Sequence, residues 1–85
     1  MIKDIYNTRY ELLLLWLKNA RLERELSIRD VATLIDEPHQ IVSKIEKGQR
    51  RLNVYEYVQY CRALAIDPVD GLKILDSKAD MDLRR

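Results

Sequence analysis

Apolar residues recur every three or four positions along most of this chain, which is the spacing of one face of an α-helix. The first such stretch opens at Thr8, a residue type that caps helices, and runs to about Glu25. Within it Leu13, Leu17 and Ala20 share one face at about 100° per residue. The pattern therefore predicts a first amphipathic helix over this stretch.

Two shorter stretches with the same apolar spacing follow, and they predict a closely spaced pair of helices. Ser27 opens a second helix over residues 27–35, after which Asp36, Glu37 and Pro38 interrupt the apolar pattern. The third helix runs from about 39 to 47, and Gly48 ends it as a left-handed residue does at a helix C-terminus. Two short helices joined by so tight a turn are typical of a helix-turn-helix.

The rest of the chain predicts two more helices and a polar tail. Asn53 caps a fourth helix, and the pair Asp67 and Pro68 starts a fifth, because proline fits the first turn of a helix. Glycine and proline are scarce, with two of each in the chain, which disfavours a β fold. We expect an all-α, compact five-helix bundle in one domain over residues 1–75, followed by a polar tail over 76–85.

Composition removes several function classes. The chain has 85 residues, which is enough for one domain. Its net charge is only +1, so the overall charge neither indicates nor excludes a nucleic-acid partner. One His and one Cys cannot form a structural zinc site, so we expect no metal and no cofactor. The apolar run from Leu12 to Leu17 is too short to span a bilayer, and no secretory pattern opens the chain. We expect a cytoplasmic protein, in a prokaryotic cell or a phage-infected host, and no catalytic motif indicates an enzyme.

The third helix carries the most distinctive chemistry. Its outward arc, roughly 140° wide, holds hydrogen-bonding side chains and no acid, whereas an ordinary solvated face mixes charges. Glutamine can bond adenine through two contacts, and lysine can donate to guanine, so this arc suits the major groove of double-stranded DNA. Arg50 and Arg51 follow in a loop that could bind phosphates. The residues of the arc are His39, Gln40, Ser43, Lys44 and Lys47.

From Leu17 to about Leu72 the sequence resembles the Cro and phage-repressor type of helix-turn-helix domain, called the XRE family. The most specific part is Val42 to Gly48, which reads apolar, Ser, basic, apolar, Glu, basic, Gly. The resemblance implies a lambda-repressor-like bundle. It also implies that Arg21 pairs with Glu46 and so ties the first helix to the third.

The resemblance also suggests which residues contact DNA. The base-contacting positions it implies are His39, Gln40, Ser43 and Lys44. We assign phosphate contacts to Lys47, Arg50, Arg51 and Asn53.

Four positions depart from the family pattern. Asp36 and Ala65 stand where glycine is usual, and aspartate tolerates the left-handed conformation better than most residues. Pro38 replaces the usual Ser or Thr cap of the third helix. Ile28 replaces a glutamine that often touches phosphate, so this position cannot make that contact.

Two functions from different classes fit these observations. The first is a sequence-specific transcriptional regulator, a repressor that occupies a palindromic operator as a homodimer. The second is an antitoxin or other protein-interaction module on the same fold, whose main task is to mask a protein partner such as a toxin.

A second apolar stripe on the first helix indicates a partner surface. A helix that is apolar on two sides must bury both or expose a patch. The lead-in, with Ile2, Ile5 and Tyr6, could fold over this stripe, or the fifth helix could cover part of it through Leu72 and Leu75. We expect instead a two-fold dimer with Trp16 as its anchor. The residues of the stripe are Leu12, Leu15, Trp16 and Leu22.

Overall fold

A computed structural model describes residues 8–76 of the chain, and this part consists of five α-helices and their connections, without a strand. The predicted all-α, five-helix fold is thereby confirmed. The predicted lead-in and residues 77–85 of the predicted tail lie outside the described residues. The helices are α1 (Thr8–Glu23), α2 (Ile28–Ile35), α3 (His39–Glu46), α4 (Val54–Ala63) and α5 (Pro68–Leu75).

Side-chain caps start three of the helices. Ser27 and Asn53 each accept a hydrogen bond from a backbone N–H three residues on, and the acid at that position accepts one in return. Asp67 caps α5 by accepting from the N–H of Val69 at 2.9 Å. Thr8 is already helical, so the predicted cap of α1 is wrong, and the position before it lies outside the described residues.

Helices α1 to α4 all end in the same way. Each is followed by a left-handed residue, whose N–H donates three residues back, and the next N–H donates five residues back. This is the Schellman arrangement, which satisfies carbonyl groups that the end of a helix leaves open. It ends α1 two residues earlier than predicted, because Glu25 is left-handed. The four residues are Glu25, Asp36, Gly48 and Ala65, with φ of 56°, 58°, 76° and 57°.

The hydrophobic core lies among the first four helices, and α5 packs on it against α1 and α4. α2 packs against both α3 and α4, and α1 packs against α3 and α5. The most completely buried side chains of the core come from each of the first four helices. These side chains are Leu17, Val31, Val42, Ile45, Tyr60, Cys61 and Leu64.

Helix α5 is held against α1 and α4 at a glycine. A Cβ built on Gly71 would lie 2.6 Å from Cζ3 of Trp16 and 2.9 Å from Cδ1 of Leu13, and would overlap the hydroxyl of Tyr57. That hydroxyl donates a hydrogen bond of 2.6 Å to the carbonyl of Pro68. The close approach of α5 therefore depends on the missing side chain at position 71.

Candidate nucleic-acid interface

Helix α3 presents a polar face because its apolar residues are fixed on the other side. Val42 and Ile45 are buried in the core, and Ile41 is partly buried against it. Gln40 and Lys44 consequently point to solvent one turn apart. Of the other residues predicted to contact DNA from this helix and its end, Lys47 is exposed, and His39 and Ser43 are half-buried.

The first turn of α3 carries no acid, and its cap position is Pro38, which makes no side-chain cap. The polar groups on the outward face of the helix are thus amide, hydroxyl, imidazole and ammonium. These can donate to, or pair with, the acceptor-rich edges of bases in a major groove.

The turn between α2 and α3 sets the direction of α3. Asp36 adopts the left-handed conformation there, with φ 58° and ψ 49°, as its place in the family pattern predicts. The N–H of Glu37 donates to the carbonyl of Ala32 at 2.9 Å and closes the turn. A non-glycine residue therefore makes the turn on which the helix-turn-helix depends.

Arg29 is a basic residue near α3 that was not among the predicted site residues. It is exposed on α2 and lines an open cleft together with Thr33 and His39. It directly follows Ile28, the position at which the family's phosphate-contacting glutamine is absent. Asp36 lines the same cleft, so the cleft is mixed in charge. A basic residue directly after Ile28, where the family's glutamine is absent, could have indicated Arg29 from the sequence.

Arg21 and Glu46 form the predicted contact between α1 and α3. Nε of Arg21 donates to Oε2 of Glu46 at 2.6 Å, and Nη2 donates to Oε1 at 3.2 Å. Nη1 of Arg21 also donates to the carbonyl of Leu26 at 2.9 Å. The two side chains are 9% and 10% exposed, so the geometry is bidentate and largely shielded from water. This pair fixes the last turn of α3 to α1.

Arg50, which was assigned to phosphate, has its guanidinium group paired within the protein. Nη2 donates to Oε2 of Glu56 at 2.7 Å, and Nη1 donates to Oε1 at 3.2 Å and to the carbonyl of Arg51 at 3.3 Å. The hydrogen bonds from Arg50, followed by that from the Asn53 N–H, hold the pKa of Glu56 below its ordinary value. Glu56 was not among the predicted site residues, although its place three residues after Asn53 is typical of a capping box.

Arg51 and Asn53 lie on the exposed side of the same loop. The guanidinium carbon of Arg51 lies 5.0 Å from the ring centre of Tyr10, a cation–π contact. The hydroxyl of Tyr10 accepts a hydrogen bond of 3.3 Å from the N–H of Leu52. Tyr10, from the first turn of α1, is therefore a second residue of this region that the sequence did not indicate.

The four residues of the predicted partner surface have different surroundings. Leu12, Leu15 and Leu22 are large apolar side chains exposed to solvent. Trp16 is partly buried against the core and lies beside Gly71 of α5. The fifth helix thus covers one member of the stripe and leaves three exposed.

The described residues contain no cluster of three or more His, Cys, Asp or Glu side chains that could hold a metal ion. Cys61 is buried as a free thiol, and burial raises its pKa. Among the described helices, none is long and apolar enough to cross a membrane.

A short helix pair joined by a left-handed turn, with a polar second helix and a basic loop after it, defines a helix-turn-helix protein. A family model described as helix-turn-helix matches residues 17–70, more than half of the chain. A solved XRE-family like protein from Pseudomonas syringae pv. tomato str. DC3000 is 36% identical, with a TM-score of 0.77. The match covers 85% of this chain and 90% of that one. No curated protein matches the chain.

The chain belongs to the XRE family of helix-turn-helix proteins. The domain of this family is that of a DNA-binding transcription regulator.

Proposed function

We propose that this protein is a sequence-specific repressor that binds a palindromic operator as a homodimer. The observation that carries the proposal is the acid-free outward face of α3, held in place by the buried Arg21–Glu46 pair. Each subunit reads one half-site by inserting α3 into the major groove. Repression follows from occupancy of the operator, and no catalytic step is involved.

In this proposal the exposed side chains of α3 contact bases. Gln40 and Lys44 lie one turn apart on the solvent side and contact neighbouring base edges. His39 and Ser43 flank them. Val42 and Ile45 keep this face outward, because turning it inward would expose two buried apolar side chains.

Phosphate contacts come from the edges of the interface. Lys47 and Arg51 are exposed cations that follow the base-reading turns in the chain, and Asn53, which caps α4, is also exposed. Arg29 reaches the backbone from α2 and supplies the phosphate contact that the apolar side chain of Ile28 cannot make. Such contacts position the protein on the duplex and carry no sequence information.

The test is selection of bound duplexes from a random DNA pool. We expect a palindromic consensus whose half-site centres lie about 34 Å apart, one turn of the double helix. The matched control is a Gln40→Ala/Lys44→Ala protein selected in parallel, which should return a weaker and shorter consensus. A parent protein that enriches no sequence would overturn the proposal.

The dimer needs an apolar surface, and we consider two candidates among the described residues. One is the exposed part of the predicted stripe on α1, where Leu15 is 51% exposed. The other lies between α4 and α5, where Val54, Leu72 and Leu75 line one cleft and are 82%, 49% and 39% exposed. The second surface adjoins Asn53, so a dimer formed there would set two DNA-binding faces next to each other.

Sedimentation of two charge variants separates these surfaces. Leu15→Glu disrupts a dimer formed through α1, and Leu72→Glu disrupts one formed through α5, because a buried unpaired carboxylate is costly. The variant that sediments as a monomer and loses operator affinity identifies the interface. Trp16→Glu is a poorer probe, since Trp16 packs against its own domain. A parent that sediments as a monomer would overturn the dimer.

The exposed leucines of α1 also favour the second function, a module that masks a protein partner such as a toxin. A contiguous apolar patch on a soluble domain is a feature of protein interfaces. This alternative predicts that Leu15→Glu leaves DNA binding and the self-association state unchanged but abolishes capture of the product of a neighbouring toxin-like gene.

A further inference from the structure

The loop between α3 and α4 is held from two sides. On one side the Arg50 guanidinium makes three hydrogen bonds, two to the Glu56 carboxylate and one to the Arg51 carbonyl. The side chains of this pair are 35% and 28% exposed, so they are half-buried. A guanidinium held in this way is already paired within the free protein.

The pair is joined to the cap of α4. Oε1 of Glu56, which accepts from Arg50, also accepts from the backbone N–H of Asn53 at 3.0 Å. In return, Oδ1 of Asn53 accepts from the N–H of Glu56 at 2.8 Å. The ion pair and the capping box thus form one polar network, which fixes where the loop meets α4.

On the other side α1 holds the loop through Tyr10. The ring of this residue faces the Arg51 guanidinium, and its hydroxyl accepts from the N–H of Leu52. Tyr10 itself is half-buried against the core. Arg51 therefore extends from a backbone that is anchored on both sides.

Given the proposed function, on which this inference rests, we propose that Arg50 is a positioning residue and not a phosphate ligand. Arg50 and Glu56 hold the loop, Tyr10 orients Arg51, and Arg51 makes the loop's phosphate contact. The family pattern does not separate the two neighbouring arginines, whereas the hydrogen bonds of Arg50 to Glu56 and the contact of Arg51 with the Tyr10 ring do.

The salt dependence of DNA binding distinguishes the two arginines. The slope of log affinity against log salt is negative, and removal of one phosphate contact lowers the magnitude of this slope by about 0.9. We expect Arg51→Gln to lower the magnitude by this amount. We expect Arg50→Gln to leave the slope unchanged and to weaken operator binding about 3- to 10-fold at every salt concentration, the size expected when a positioning network is broken.

Amide hydrogen exchange of the free protein gives a readout independent of DNA. Arg50→Gln should accelerate exchange of the Asn53 and Leu52 amides, because the network that holds the loop is broken. Arg51→Gln should leave the Asn53 amide unchanged. Both variants are first checked for parental circular dichroism.

Tyr10 is tested by a double-mutant cycle. In a Tyr10→Leu background the orienting ring is gone, so Arg51→Gln should cost less operator affinity than in the parent. Tyr10→Phe keeps the ring and serves as the matched control. Full additivity of Tyr10→Leu and Arg51→Gln would overturn the role of Tyr10.

An Arg50→Gln protein whose salt slope falls as far as that of Arg51→Gln would overturn the inference, as would unchanged exchange at Asn53 in that variant. A parent protein that binds no duplex would instead overturn the proposed function. The exchange measurement on the free protein would still decide whether Arg50 orders the loop.

Discussion

At the scale of single residues, two arginine–glutamate pairs illustrate how burial changes the role of the same chemistry. The Arg21–Glu46 pair is about nine-tenths buried, whereas the Arg50–Glu56 pair is about one-third exposed. Solvent screens the second pair, so it orders a loop more than it stabilises the fold. The first pair is shielded, and each partner depends on the other for compensation of its charge.

Glu46→Ala should therefore lower the free energy of unfolding by about 3–5 kcal/mol, because the Arg21 guanidinium stays buried without its partner. Urea denaturation measures this change. Glu23→Ala, an exposed acid on α1, is the matched control and should have little effect. If Glu46→Ala unfolds at the same urea concentration as the parent, the pair contributes nothing to stability.

Lys44 is the residue for which we predict a change in DNA specificity. Lys44→Ala should cost about 1–3 kcal/mol on the preferred operator and relax specificity at one position in each half-site. Binding to a panel of single-base operator variants measures both effects. Lys18→Ala, an exposed lysine on α1, is the control. An equal loss on every sequence would make Lys44 a phosphate contact.

At the scale of helices, the ends are where local chemistry decides the structure. Four helices end at a left-handed residue, and only Gly48 among these four is a glycine. At the other three, a Cβ is accepted in a conformation that disfavours it. Asp36 lies within the helix-turn-helix itself, so one of these strained positions sets the direction of α3.

Ala65→Gly should raise the free energy of unfolding by about 0.5–1 kcal/mol. Relief of the left-handed strain, about 1–2 kcal/mol, exceeds the greater freedom that glycine brings to the unfolded chain. Ala63→Gly, in the last turn of α4, is the matched control and should lower stability by about 1 kcal/mol. Thermal unfolding compares the two, and equal destabilisation by both would refute the strain argument.

The capping boxes make stability depend on acid. Hydrogen bonds from the Ser27 backbone and side chain lower the pKa of Asp30, and those from Arg50 and Asn53 lower that of Glu56. A lowered pKa in the folded state stabilises the protein above the unfolded value, and this stabilisation disappears as pH falls through the folded value.

We therefore expect the free energy of unfolding to fall as pH drops below the ordinary carboxyl values of 3.8 and 4.5. An Asp30→Asn/Glu56→Gln protein should lose part of this dependence, since amides do not titrate. Urea denaturation at a series of acid pH values measures it. The same acid dependence in parent and double variant would show that other carboxyl groups cause the loss.

At the scale of the whole molecule, the parts that sequence predicts are the local ones. Helix positions and the caps at Ser27, Asn53 and Asp67 depend on residues a few positions apart, and the family pattern brought Arg21 and Glu46 together. The contact of Tyr10 with the loop and that of Trp16 with Gly71 join distant residues. These contacts depend on how the helices pack together, and the spacing of apolar residues in the sequence does not specify that packing.

The packing of α5 gives a prediction at this scale. Gly71→Ala places a methyl group against Leu13, Trp16 and Tyr57, so α5 must shift. Overpacking of this kind should lower the free energy of unfolding by about 1–3 kcal/mol and accelerate amide exchange in α5. Lys73→Ala, exposed on the same helix, is the control. If Gly71→Ala is as stable as the parent, α5 is not tightly packed against α1 and α4 at this position.

The same contact between α5 and α1 contains a natural fluorescent probe. Trp16 is the one tryptophan of the chain, and it lies where α5 meets α1, beside a glycine and a tyrosine hydroxyl group. None of the proposed DNA contacts lies among the side chains at that glycine. The fluorescence of Trp16 therefore reports how α5 packs on α1. Without any added label, a fluorescence titration can distinguish a change in this packing from binding of the operator by α3.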